Sequence, residues 1–159
     1  MGYWLRAFCG SERCPTIDNL CTALRERGRA VQILIPKTTG GHDPDWSQCL
    51  IKYDPERLPI IIDINRANDP NDDTVEEEIK EFFEFLEDAA EGPAKSRVIG
   101  HLKKTRFIIA AQIPTADIVD AGYEATDTLF QWLIDEYEAL SQADYEGFYD
   151  ENGLILELE

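Results

Sequence analysis

Tyr145-Glu146-Gly147-Phe148-Tyr149-Asp150-Glu151-Asn152-Gly153-Leu154-Ile155-Leu156-Glu157-Leu158 is the stretch that decides the fold. An Asn-Gly pair between two short apolar and aromatic runs signals a β-hairpin, because both residues tolerate the positive φ of a tight turn. Residues 145–149 and 154–158 therefore read as two antiparallel strands, joined by residues 150–153.

Working outward, Phe107-Ile108-Ile109-Ala110-Ala111 is the centre of a strand over residues 105–112, closed by Pro114. Between it and the hairpin, Thr126, Leu129, Phe130, Leu133, Tyr137 and Leu140 share one face of a helix over 123–140. Further upstream, Thr74-x-x-Glu77 has the form of a capping box. It opens a helix with Ile79, Phe82, Phe83, Leu86 and Ala90 on its buried stripe. Gly92-Pro93 separates that helix from a basic one over 94–102. At the start, residues 3–8 read as a strand, and Ile17, Leu20, Cys21 and Leu24 as a helical stripe stopped by Gly28. Strands follow near 30–35, 49–53 and 59–64.

The expected fold class is α+β, a mostly antiparallel sheet with helices packed on one face, in a single domain spanning 1–159. The order of elements suggests two β-α-β-β modules, 1–65 and 105–159, bridged by helices 74–103.

The 159 residues carry 32 acids against 15 Lys and Arg, a net charge of −17. That balance disfavours nucleic-acid backbones and anionic membrane surfaces, and favours a basic protein partner. The charge is also segregated. Residues 1–37 are net +3, residues 69–91 net −10 and residues 95–106 net +5, while 107–159 hold thirteen acids and no Lys or Arg. No apolar run reaches membrane-spanning length, and the first residues do not form a signal peptide. Four unevenly spaced cysteines read as free thiols in a reducing compartment, so a cytoplasmic location is expected.

Two thiols draw attention. Cys9 ends the first strand and Cys14 stands just before a helix that begins with Pro15, where the dipole favours thiolate. The placement is similar to that of thioredoxin-like proteins, with four intervening residues instead of two. Cys9 and Cys14 are thus the candidate catalytic residues of a thiol-dependent redox protein or sensor, and Cys21 reads as core. The four cysteines lack the close pairs of a structural zinc site, and His42 and His101 read as surface residues. Asp69, Asn71 and Asp73 start like a calcium loop, but Thr74 and Lys80 stand where Gly and Glu belong. No metal and no cofactor are expected. Phosphate-loop, nucleophile-elbow and metalloprotease signatures are absent, which leans away from an enzyme.

Phe85 and Trp132 lie off the apolar stripes of their helices. Either they form a second packing layer, or with Asp135, Glu136 and Glu138 they form a partner-binding surface. Lys95, Arg97, Lys103 and Lys104 either bind an anion or are neutralised by the neighbouring acidic helix.

The segment Gln142–Gly153, the strand Arg106–Gln112 and Asp43-Pro44-Asp45-Trp46 resemble parts of a group of small uncharacterised bacterial proteins. The resemblance spans most of the chain and implies shared structure, with no functional residue carried over. The expected function is a non-enzymatic interaction or regulatory protein, immunity- or inhibitor-like, that meets a cationic partner.

Overall fold

The computed structural model describes residues 3–158. Eight antiparallel strands form one sheet in the order β2-β3-β4-β5-β1-β6-β7-β8. The strands are β1 (Tyr3–Cys9), β2 (Gln32–Leu34), β3 (Gln48–Lys52), β4 (Ile60–Arg66), β5 (Phe107–Ile113), β6 (Ala139–Ala143), β7 (Gly147–Asp150) and β8 (Gly153–Glu157). The helices are α1 (Ile17–Glu26), α2 (Thr74–Glu87), α3 (Pro93–Lys103) and α4 (Asp120–Glu136). The α+β class and antiparallel sheet agree with the sequence.

The helices are shared between both faces of the sheet rather than gathered on one. Ala7 and Cys9 of β1, with Phe107 and Ile109 of β5, pack in the cluster that holds Leu20 and Leu24 of α1 and Leu129 and Leu133 of α4. Phe8 and Ile108, one residue out of phase, pack with Phe82 and Leu86 of α2 and Val98 and Leu102 of α3. Period-two alternation sends neighbouring side chains to opposite faces, so central strands with both faces apolar need helices on both. Phe8, Phe82 and Phe148 meet with ring centroids 5.4–5.9 Å apart, edge-on or tilted. Such pairs add about 0.5–1.5 kcal/mol each beyond their area burial.

The two expected modules share this one sheet, with their first strands exchanged. β1 lies between β5 and β6, and β5 lies between β1 and β4. Helices α2 and α3 do connect β4 to β5.

The starts of α1 and α2 differ in their capping. The capping box forms at α1, where Thr16 accepts from the Asn19 amide and Asn19 returns the bond. At α2 the helix starts on Thr74 itself. The Thr74 hydroxyl donates to Asp72 at 2.5 Å and the expected box is not made. Asp72 also accepts from Asn65, so these carboxylates and amides are consumed by the turn.

The largest departure lies at residues 137–143. The expected helix to residue 140 stops at Glu136, Glu138 adopts φ 52°, and Ala139–Ala143 forms β6 beside β1. An αL residue reverses the chain there without a glycine to announce it.

Candidate functional site

Helix α4 lies over β1 and β6. Among the described residues no helix covers β7 and β8 on that face, and α3 supports β8 from the other side. The result is a cleft of about 760 Å³ between α4 and the curled hairpin. Leu5, Ile113, Ser141 and Ala143 form its floor. Its walls carry the rings of Tyr3, Tyr123, Phe130 and Tyr149, and the carboxylates of Asp127, Glu146 and Glu151; Asp150 also borders it. None of its lining residues is Lys, Arg or His.

Each wall residue is placed by local structure. The hairpin predicted from Asn152-Gly153 forms, with Asp150 opposite Gly153. Gly153 alone is left-handed at φ 115°, so the turn closes through a bulge-type glycine. Gly147 has φ 141°, and a Cβ there would stand 2.0 Å from the Leu156 carbonyl oxygen. Only glycine lets β8 approach so closely and carry Glu151 to the rim.

Glu146 is the hub. It accepts hydrogen bonds from the hydroxyls of Tyr3 and Tyr149, the latter at 2.7 Å. Burial and the bond to Glu146 raise the Tyr3 pKa, and the bond to Glu146 followed by burial raises that of Tyr149. Both phenols therefore remain protonated donors. Burial raises the Asp127 carboxyl, opposed by Arg29 and reinforced by the charge of Glu146. Asp150 is engaged by Arg97, which reaches it at 2.6 Å. Among the described residues, three carboxylates thus face the cleft with no cation lining it.

Next to Glu146 in the β6–β7 turn, and outside the lining of this cleft, stands Tyr145, 90% exposed and held at φ 64°. Positive φ is costly for a bulky residue, and such strain often marks a working surface. On the other side of this turn a shallow cleft of about 290 Å³ brings Tyr145 together with Phe85, Glu81 and Asp144.

The residues singled out from sequence separate accordingly. Phe85 is half exposed and joins the Tyr145 surface. Trp132 is corrected to a packing residue: it is buried, and its ring lies 5.0 Å from Tyr137 at 71°. Its position off the stripe reflects a second layer along α4. Glu136 and Glu138 are exposed at the C-terminal end of α4 and do not line the cleft, and Asp135 pairs with Arg27 at 3.4 Å.

Cys9 is fully buried and Cys14 partly so, both as free thiols. Burial raises both pKa values. The nearby Cys14 adds to the rise at Cys9, while the Arg66 guanidinium partly offsets it at Cys14. Cys14 precedes Pro15 and the Thr16 cap, outside the first turn of α1. His101 is half-buried rather than a surface residue, with Nε2 donating to the Phe8 carbonyl at 2.6 Å.

Tyr3, Tyr123, Asp127, Glu146 and Tyr149 were not singled out from sequence. The one signal pointing toward the four in the C-terminal third was the absence of Lys and Arg from 107 onward; none pointed to Tyr3. The architecture is an α+β domain with a helix pair on each face of an antiparallel sheet and an anionic aromatic cleft at one end. No family model, curated protein or solved structure matches the chain.

Proposed function

We propose that this protein is a non-enzymatic binding module that takes a cationic segment of a partner protein, in an inhibitor- or immunity-like role. The observation that carries the reading is the cleft itself: aromatic faces and carboxylates converge, and among the described residues no cation lines the walls. Aromatic faces attract guanidinium and ammonium groups, and carboxylates hold them by charge-assisted hydrogen bonds. Leu5, Ile113 and Phe130 supply apolar surface for the stems of Arg or Lys. A volume of about 760 Å³ exceeds one side chain, which fits a segment rather than a single small cation. Beside the cleft, on the other side of the β6–β7 turn, Tyr145 and Phe85 offer the exposed aromatic anchors common at protein interfaces. The thiol-dependent alternative on Cys9 and Cys14 draws less support, since burial disfavours both thiolates.

The reading is tested by titrating the protein with a capped hexa-arginine peptide and following amide chemical shifts. Changes centred on Tyr3, Asp127, Glu146 and Tyr149 are expected. Shifts concentrated on the acidic helix α2 would contradict it.

A further inference from the structure

At the other end of the central strands the charge reverses. The C-terminus of β4, the N-terminus of β5 and the loop after β1 enclose a cleft of about 580 Å³ that contains Arg66, Lys103, Lys104 and Arg106. Four of the chain's 15 Lys and Arg thus border one cleft in a protein of net charge −17.

The basic run 95–106 divides into two parts. Lys95 is bound to Glu91 at 2.7 Å and Arg97 to Asp150 at 2.6 Å. Among the described residues, no carboxylate stands within ion-pair distance of Lys103 or Lys104. Arg106 has only Glu12, at 3.5 Å, and the Glu12 side chain is 86% exposed. The C-terminal dipole of α3 accounts for two lysines there. It does not account for two arginines, one ending β4 and the other just before β5, lining the same cleft.

Arg66 is the ordered member. Its Nη2 donates to the carbonyls of Pro44 at 2.8 Å and Trp46 at 3.0 Å, and its positive charge opposes the rise that burial causes in the Cys14 pKa. The strand frame is equally fixed, with Ala67 N–H bonded to the Arg106 carbonyl and Arg106 N–H to that of Cys9, each at 2.8 Å. A guanidinium held in place beside exposed ammonium groups is the donor set that recognises phosphate, the fork giving direction and the lysines charge.

We infer that this cleft is a binding site for a small soluble phosphate compound with two or more negative charges, recognised by Arg66, Lys103, Lys104 and Arg106. A multivalent anion relieves the mutual repulsion of the four cations, and the surrounding negative surface rejects larger polyanions and anionic bilayers. The site lies at the opposite end of β1 from the cleft proposed for the cationic partner, and the two readings stand or fall separately.

Cys14 lines the cleft and reports on it, while Cys21, also partly exposed, lies on α1 outside it. The full chain is alkylated with iodoacetamide, with and without inorganic pyrophosphate, and each thiol is followed by peptide mass spectrometry. Saturating protection of Cys14 is expected, about tenfold at ten times Kd, with Cys21 unchanged. Lys103→Gln with Lys104→Gln, both exposed and outside the core, should abolish most of that protection. Arg66→Gln should do the same if it folds. Absence of protection, equal slowing of Cys21, or full protection in the double lysine variant would each overturn the site.

Discussion

Tyr149 donates its hydroxyl to Glu146 across the β7 turn at 2.7 Å, and Tyr3, from the first strand, donates to the same carboxylate. Two segments 146 residues apart at their extremes thereby fix one anionic group at the mouth of the cleft. Positioning by phenols keeps Glu146 oriented before any partner arrives, which lowers the ordering cost of binding.

The turn that carries this hub holds Tyr145 at φ 64° with its side chain in solvent. Asn tolerates left-handed backbone better than Tyr. Tyr145→Asn is therefore expected to leave the protein as stable or about 1 kcal/mol more stable in urea unfolding. The same variant should bind the cationic probe more weakly. A clear loss of stability would mean that Tyr145 packs rather than recognises.

Arg6 ties α2 to the sheet. Its guanidinium meets Glu78 at 3.1 Å and Asp144 at 3.0 Å, and lies over the rings of Trp4 and Phe82 at 5.9 and 5.5 Å. Arg6→Ala leaves two part-buried carboxylates without their cation and should cost about 2–4 kcal/mol. Arg6→Lys should recover only part of it, because an ammonium cannot span both acids and stack. Chemical denaturation of the three proteins checks the order; equal stability of the Lys variant and the parent would refute the role of the planar group.

Burial lowers the pKa of His101, reinforced by Arg97 and Lys104 and opposed by the bond to Phe8 and by Glu138. The unfolded chain then binds the proton more readily than the folded one. Stability from this group is complete above the ordinary value of 6.5 and declines as pH falls from there toward the lowered folded value. The difference in unfolding free energy between the parent and His101→Gln should therefore change across that acid window and stay constant above it. A difference independent of pH would remove His101 as its source.

What could be read from sequence and what could not has a physical pattern. The β7–β8 hairpin was legible because Asn152-Gly153 encodes a local backbone preference. The strand β5 was legible because Phe107-Ile108-Ile109 combines β-branched and aromatic groups between breakers. β6 was not, because Ala139-Leu140-Ser141-Gln142-Ala143 has no β-branched residue, and Leu140 continues the helical spacing of Leu133 and Tyr137. The strand exists through pairing with β1, a contact far away in sequence. The candidate cleft inherits this difficulty, since its floor includes β6 and its carboxylates come from α4 and two separate turns. Net charge by segment identified the right third of the chain but not the residues. Trp132 shows the converse limit: helical spacing revealed that it leaves the stripe, and only packing decided that Tyr137 covers it.

The central claim concerns Asp127 and Glu146, and the most direct measurement is the affinity of the capped hexa-arginine peptide for the parent and for Asp127→Asn combined with Glu146→Gln. Affinity for the parent should be constant near neutral pH and fall as pH drops through the raised Asp127 pKa, where its carboxylate is lost. The double variant should bind about tenfold or more weakly, a loss of about 1.4 kcal/mol. Glu76→Gln with Glu77→Gln, the same charge change on α2, should cost less than about twofold at physiological salt. Equal losses in the two double variants would contradict the account, because binding would then follow net charge and not the cleft.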